Sequence, residues 1–398
     1  MTAKEALKRN VQERVDSIKD KIVEIAKYLH QNPEIGYEEY KACELLTSKL
    51  EENGFELIRR VAGLPTAFKA VLRGKSERPK VAILAEYDAL PGLGHACGHN
   101  LSAASAVGAG IALAKLMPEM NGTLLIFGTP AEEGVPDNAG GKVVMLDEFR
   151  GLDAAMIMHA LDRTTVICQS FNREALEIEF IGKAANAGNA ESSSKGINAL
   201  EAVMIFWHAV NSFRLLLKDD ARVFGIITEG GVSPNIVPDR AVTRLQIRVE
   251  DVQYFQEVIE KVKNAAQGAA LATGATGNIK KYANTYVNMI NNLTLADTFA
   301  KNLTALGVPV EKLHRRGAAT DMGNVSHVAP AIHPFIAIVP RGTPWHSIES
   351  AKASASPQAY ETTIKTAKVF GMTAIDIFTD PDLAGKIKEE FAQATAQQ

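Results

Sequence analysis

A thiol and an imidazole stand two residues apart in Gly94-His95-Ala96-Cys97-Gly98-His99-Asn100, between a strand-like run and a helix-like run. A deprotonated Cys97 and a neutral His99 are both good ligands for borderline-soft divalent ions. Adjacent carboxylates follow in Pro130-Ala131-Glu132-Glu133-Gly134, then an imidazole in Met156-Ile157-Met158-His159, and another in Trp345-His346-Ser347. If a metal lies near Glu132 and Glu133, one carboxylate can ligate it. The other can take a proton from activated water and deliver it to a leaving nitrogen. Taken in order, the residues read as the ligands and base of a dinuclear metal hydrolase.

Each residue alone has a plainer reading. A lone Cys is usually a small buried filler. Two glutamates after a strand can be a solvated turn, and a histidine ending an apolar run can belong to core or surface. Their common placement argues otherwise, because ligands and catalytic groups collect at strand ends in open α/β sheets.

The elements that must position them follow from periodicity. Val11, Val15, Ile18, Ile22, Ile25 and Leu29 recur at helical spacing and predict one amphipathic helix ending before Asn32-Pro33. A second helix is expected from Glu38 to Leu50. Strands are expected at Ala67–Leu72, Val81–Glu86, Thr123–Gly128 and Ala154–Met158, the last ending at His159. A small-residue helix runs from Leu101 to Met117, and Gly141–Phe149 reads as helical. This alternation predicts a mostly parallel sheet covered by helices. Near Cys168 the rhythm changes. Strands at Glu174–Ile181, Arg222–Thr228, Ala241–Val249 and Asn278–Tyr286 alternate with helices at Ile197–Leu217 and Val252–Thr273. That is the split-βαβ, ferredoxin-like order. The expected class is therefore α/β. A catalytic domain at 1–169 and 288–398 carries an inserted ferredoxin-like α+β domain at 170–287.

The 398 residues are 46% hydrophobic and 22% charged with formal net charge -3, which suits a globular protein and leaves no basic footprint for nucleic acid. No apolar stretch is long and unbroken enough to span a bilayer. Three scattered cysteines, with no charged start and apolar run at the N-terminus, predict a reducing, cytoplasmic setting.

Several strings together carry a family resemblance. Leu29-His30-Gln31-Asn32-Pro33-Glu34-Ile35-Gly36, Glu86-Tyr87-Asp88-Ala89-Leu90-Pro91, His95 through Asn100 and Pro130 through Gly134 resemble the aminoacylase/carboxypeptidase family of dinuclear metallopeptidases. The amidohydrolase branch, with auxin-conjugate hydrolases, p-aminobenzoyl-glutamate hydrolases and β-alanyl-lysine dipeptidases, is the nearest in pattern. Asn100 and Asp321-Met322-Gly323-Asn324-Val325-Ser326 favour the last two groups. The likeness extends into the inserted domain through Ile181-Gly182-Lys183-Ala184-Ala185 and Gly230 through Pro238.

The resemblance implies roles. Cys97, His99, Glu133, His159 and His346 match the ligands of two divalent ions, zinc or manganese, with Cys97 bridging them. Glu132 matches the general base. Asp88 matches a carboxylate that orients a ligand. Asn235 and Arg248 fall where relatives hold a substrate carboxylate, and the inserted domain is a lid that forms a homodimer. The implied activity is metal-dependent hydrolysis of a C–N bond in an N-acyl amino acid, a dipeptide or a related small conjugate.

One position departs from the pattern. After Gly182-Lys183-Ala184-Ala185, relatives carry a histidine that polarises the scissile carbonyl; here it is Asn186, followed by Gly188-Asn189-Ala190-Glu191-Ser192-Ser193-Ser194. An amide can donate a hydrogen bond but cannot become cationic. Two alternatives follow from this departure: a hydrolytic deaminase of a small amine, or a homologue without peptidase turnover.

Overall fold

A computed structural model describes residues 2–311 and 318–396. The strands among them, in chain order, are β1 Glu56–Arg59, β2 Phe68–Arg73, β3 Lys80–Ala85, β4 Thr123–Gly128, β5 Ala154–Met156 and β6 His159–Leu161. They continue with β7 Asn172–Ile181, β8 Arg222–Glu229, β9 Arg240–Val249, β10 Thr276–Lys281, β11 Ala331–Ile332 and β12 Phe335–Ala337. The chain forms two compact units. One holds residues 2–169, 289–311 and 321–396; the other holds 170–288 with 318–320.

In the first unit a six-stranded sheet runs in the order β1-β2-β4-β3-β5-β11. The pairs β4·β3, β3·β5 and β5·β11 are parallel, and β1·β2 and β2·β4 are antiparallel. Beyond β5 and β11 the pairing resumes as β6·β12 in the same register: Met156 faces Ile332 and His159 faces Phe335. Pro334, which has no N–H to donate, stands in the interruption. The expected strand ending at His159 is thus corrected, because His159 opens β6.

The core of this unit is the helix His99–Ala114, all of whose residues are buried. Its small side chains let neighbours approach closely. A Cβ on Gly108 would lie 2.6 Å from the Ile22 side chain of the helix Lys19–Gln31. The single N-terminal helix expected from the sequence is instead two, Ala3–Ser17 and Lys19–Gln31, separated at Ile18. No breaker residue marks that bend. It seats the apolar faces Val11/Val15 and Ile22/Ile25/Leu29 in one common core. Gly141–Phe149 likewise divides into two short helices at Met145.

The second unit is a four-stranded antiparallel sheet in the order β10-β7-β9-β8, with the helices Ala199–Arg214 and Val252–Thr273 packed on it. Strand, helix, two strands, helix, strand with this spatial order is the ferredoxin-like arrangement. Among the described residues no helix is long and apolar enough to cross a membrane.

Candidate metal centre

Five separate stretches of the first unit deliver the predicted residues to one place. Asp88 follows β3, Glu132 and Glu133 follow β4, His159 opens β6, and Cys97 and His99 lie at the start of the central helix. His346 comes from the loop after β12. Strand ends are where such groups are expected, since the sheet fixes their backbone while leaving side chains to project beyond it.

Local backbone conformation is held tightly here. Gly98, between the thiol and the imidazole, has φ +77, and a Cβ there would sit 2.5 Å from that of Ala160. Only glycine fits this left-handed, close-packed position. Ala131 (φ 58) and His346 (φ 55) also occupy the left-handed region, although neither is glycine. Such residues persist where surrounding contacts over-determine them, and they cluster at functional sites. Around Ala131 one contact is clear: its N–H donates to Glu39 Oε1 at 2.9 Å.

The donor atoms converge. Cys97 Sγ lies 3.4 Å from His159 Nε2 and 3.1 Å from His346 Nε2. His346 Nε2 is 3.7 Å from Glu133 Oε2. One donor atom from each of Cys97, His99 and His159 falls within a 4.8 Å group, as does one from each of Cys97, Glu133 and His346. His99, Glu132 and Glu133 form a third such group. Cys97 is common to the first two.

Asp88 organises its neighbours. Its Oδ1 accepts from His99 Nδ1 at 3.0 Å and its Oδ2 accepts from the Glu133 N–H at 3.0 Å. With Nδ1 so held, His99 turns Nε2 toward the cluster, where that buried atom has no hydrogen-bond partner. Glu133 Oε1 is buried without a partner as well. His159 donates through Nδ1 to the Ala160 carbonyl at 2.7 Å, which presents its Nε2 to Cys97.

Electrostatics tests whether these residues fit divalent cations. Burial, followed by the Glu133 charge, pushes the Cys97 thiol well above its ordinary range. Burial, with the charges of Glu86, Asp321 and Glu133, raises Glu132 as well. Burial and then His99 depress His159 to about 3, which leaves a neutral imidazole. Buried acids, orphaned ligand atoms and a neutral imidazole together fit a cation, which displaces protons from thiol and carboxyl groups as it binds.

Sequence reasoning missed three groups at this site. Lys142 is fully buried, with Nζ 2.5 Å from Glu86 Oε1 and 2.6 Å from Asp321 Oδ1. His333 is buried beside His159, with ring centroids 5.7 Å apart and both ring nitrogens lacking hydrogen-bond partners. Glu86 is buried beneath His99 Nε2 at 3.5 Å. Glu86 and Asp321 at least lay in the strings that carry the family resemblance. Nothing in Gly140-Gly141-Lys142 suggests a buried lysine.

The three expected substrate-binding residues lie in the second unit, and only two come together. The Asn235 carbonyl accepts from the Ala187 N–H at 3.0 Å, and Asn186 pairs with Ile236. Asn186 Oδ1 accepts from the Gly188 N–H at 3.0 Å, which leaves its amide nitrogen as the available donor. This turn adjoins the Ile181/Arg240 end of the β7·β9 pair. Arg248 is at the other end of β9, eight residues along, roughly 25 Å away at strand rise. Its guanidinium lies over the Phe224 ring at 5.5 Å.

Comparison with known proteins places the chain among metallopeptidase-like relatives. The family model described as peptidase family M20/M25/M40 matches residues 82–370. The Xaa-Arg dipeptidase of Mus musculus is 33% identical, over 97% of this chain and 92% of the relative. A p-aminobenzoyl-glutamate hydrolase chain of Escherichia coli strain K12 is 28% identical, over 98% of this chain and 96% of the relative. In fold, the chain resembles a Bacillus subtilis protein described as a dinuclear metal binding peptidase from the M20 family. That likeness has a TM-score of 0.68 at 21% identity and covers 92% of this chain and 99% of the other.

Proposed function

The chain belongs to the M20/M25/M40 peptidase family, and from that premise we propose that it is a metal-dependent amidohydrolase. It cleaves the C–N bond of a dipeptide, an N-acyl amino acid or a related small conjugate. The observation that carries this reading is the convergence of Cys97, His99, Glu133, His159 and His346 on one centre, buried on every side but that of the exposed His346, with Glu132 beside them.

In this reading Cys97, His99 and His159 would hold one divalent ion, and Cys97, Glu133 and His346 would hold a second. Zinc and manganese both suit the donors, and the thiolate favours zinc. When bound, the ions supply Lewis acidity, favouring hydroxide at neutral pH and stabilising negative charge on the carbonyl oxygen. The protein's own work is proton transfer and orientation. Glu132 takes a proton from the attacking water and returns it to the leaving nitrogen as the C–N bond breaks, so that acid and amine are released. Asp88 keeps His99 in the tautomer that presents Nε2. Asn186 and Asn235 form a polar turn that contacts substrate. Arg248 is too far along the same unit to share one small substrate with them in one chain, so substitutions at the two places should be separable.

The second unit also serves as the dimer surface. Its edge strand β8 exposes Phe224, Ile226 and Ile227, and an unpaired apolar edge favours pairing with another chain. Three free, buried cysteines accord with a cytoplasmic setting.

The test is a screen of manganese- and zinc-loaded protein against dipeptides, N-acyl amino acids and aryl amines, with elemental analysis in parallel. Release of an amino acid with about two ions per chain supports the reading. Ammonia release points to a deaminase. Protein that binds no metal refutes the site.

A further inference from the structure

Beneath the ligand residues, in the same unit, lies a charged group of which the hydrolysis uses Glu132 alone. Glu86, Glu132 and Asp321 each offer an oxygen, and these lie within 4.8 Å of one another, all three residues being buried. Hard divalent cations are bound by oxygen sets of this kind. The Lys142 ammonium is seated there instead, 2.5 Å from Glu86 Oε1 and 2.6 Å from Asp321 Oδ1, with no exposed side-chain surface on any of the three. Asp321 Oδ2 also accepts from the Lys142 N–H at 3.0 Å, which fixes the start of the short helix Gly141–Val144 to the group. A second feature points to ligation: Glu86 Oε2 is buried, has no hydrogen-bond partner and stands 3.5 Å from His99 Nε2.

We propose that Lys142 is a built-in cation that fills a latent third metal position formed by Glu86, Glu132 and Asp321. Lys142 is a positioning residue in this arrangement. By engaging Glu86 and Asp321 it denies the cluster a third divalent ion, and so keeps the Glu132 carboxylate out of ligation and available to the substrate water. The physical reason is charge. Three buried carboxylates without a counter-ion are strongly disfavoured, and either a lysine or a metal satisfies them. A lysine supplies one fixed charge with no open coordination position, whereas a metal would take Glu132 as a ligand. The proposal rests on the hydrolase reading above, with Glu132 as base.

The experiment compares the full-length protein with Lys142→Met and with Lys142→Met/Asp321→Asn. All three are loaded with Mn²⁺, freed of excess by gel filtration, and analysed for metal content and melting temperature. The expected result is one more equivalent of metal per chain in Lys142→Met than in the unsubstituted protein, with a larger rise in melting temperature on Mn²⁺ addition. The double variant, which loses one charge of each sign, should return to the unsubstituted metal count. Turnover of Lys142→Met should fall about 100-fold or more, the scale of a lost base, with KM little changed.

Equal metal content in Lys142→Met and the unsubstituted protein overturns the proposal. So does a Lys142→Met protein that stays unfolded at saturating Mn²⁺, because a latent site would have been refilled. A loss of turnover without the extra metal would assign Lys142 a purely structural role. If the unsubstituted protein binds no metal, the hydrolase reading fails. If it binds two ions and the variant also binds two, only the role of Lys142 fails.

Discussion

The two units hold their polar groups under opposite conditions. In the first, Asp88, Cys97, His99, Glu132 and His159 are all buried, and Asp88 fixes both a side chain and a backbone N–H. In the second, Asn186 and Asn235 are exposed where two segments pair, and their side-chain oxygens accept only local hydrogen bonds. A buried polar group must be satisfied or it costs stability, so few residue types fit each position of the first site. An exposed amide carries no such constraint. On the proposed reading, this difference lets a metal centre keep the expected ligand pattern while the exposed segment changes: specificity can change where folding does not resist.

The sharpest way to break this comparison is Glu132→Gln. The amide keeps the shape but cannot accept a proton, so turnover should fall by about 100- to 10,000-fold. Metal content by elemental analysis should not change. Normal turnover would remove Glu132 from the base role and direct attention to Glu133.

A smaller loss is expected for Asp88→Asn. One oxygen remains to serve either His99 or the Glu133 N–H, and the neutral group no longer favours the His99 tautomer. Metal affinity measured by competition with a chelator should weaken about 10- to 100-fold, the usual effect of losing a ligand's orienting partner. Unchanged affinity would mean that the sheet, rather than Asp88, positions His99.

The exposed region should respond more mildly. Asn186→Ala removes one neutral hydrogen-bond donor, so kcat/KM should change by no more than about tenfold, with melting temperature and metal content unchanged. A collapse of metal binding in this variant would erase the contrast between the units.

The smallest effect on activity is expected at Glu39, which sharpens the buried side of the comparison. Its carboxyl is raised to about 8, by burial first and then by the Asp88 charge, from an ordinary value of 4.5. The folded protein therefore keeps this proton over a range in which the unfolded chain has released it. The resulting stabilisation is fully present below about 4.5 and is lost as pH rises through about 8. Glu39→Gln should flatten the fall in melting temperature over that interval and leave kcat nearly unchanged. An identical pH profile in the variant would exclude Glu39 as its source.

Much of the architecture was legible in the chain. Runs of apolar residues that stop short of Asp88 and Glu132 marked strand ends, although the run before His159 did not, and the shift to alternating patterns near Cys168 marked a different sheet. The small residues of 101–114 announced a helix that neighbours approach closely. These signals are local, because side-chain period and chain breaks are set by neighbouring residues. The residue types at the strand ends limited the chemistry to metal ligation and proton transfer before any contact was known.

Other features were decided by contacts far apart in sequence. The bend at Ile18 has no local breaker and follows from seating two apolar faces in one core. The short β6, opening at His159, exists because Phe335 lies opposite it across an interrupted ladder. Arg248 and Asn235 are 13 positions apart in the chain, yet the β7·β9 register carries them to opposite ends of a sheet. Lys142 gave no sign of burial, since its environment is made by Glu86 and Asp321, 56 and 179 residues away. The sequence by itself determined which groups could do chemistry and which short elements would carry them. The tertiary structure decided which groups share a dielectric environment and a counter-charge, because burial and electrostatic pairing depend on distance in space and not along the chain.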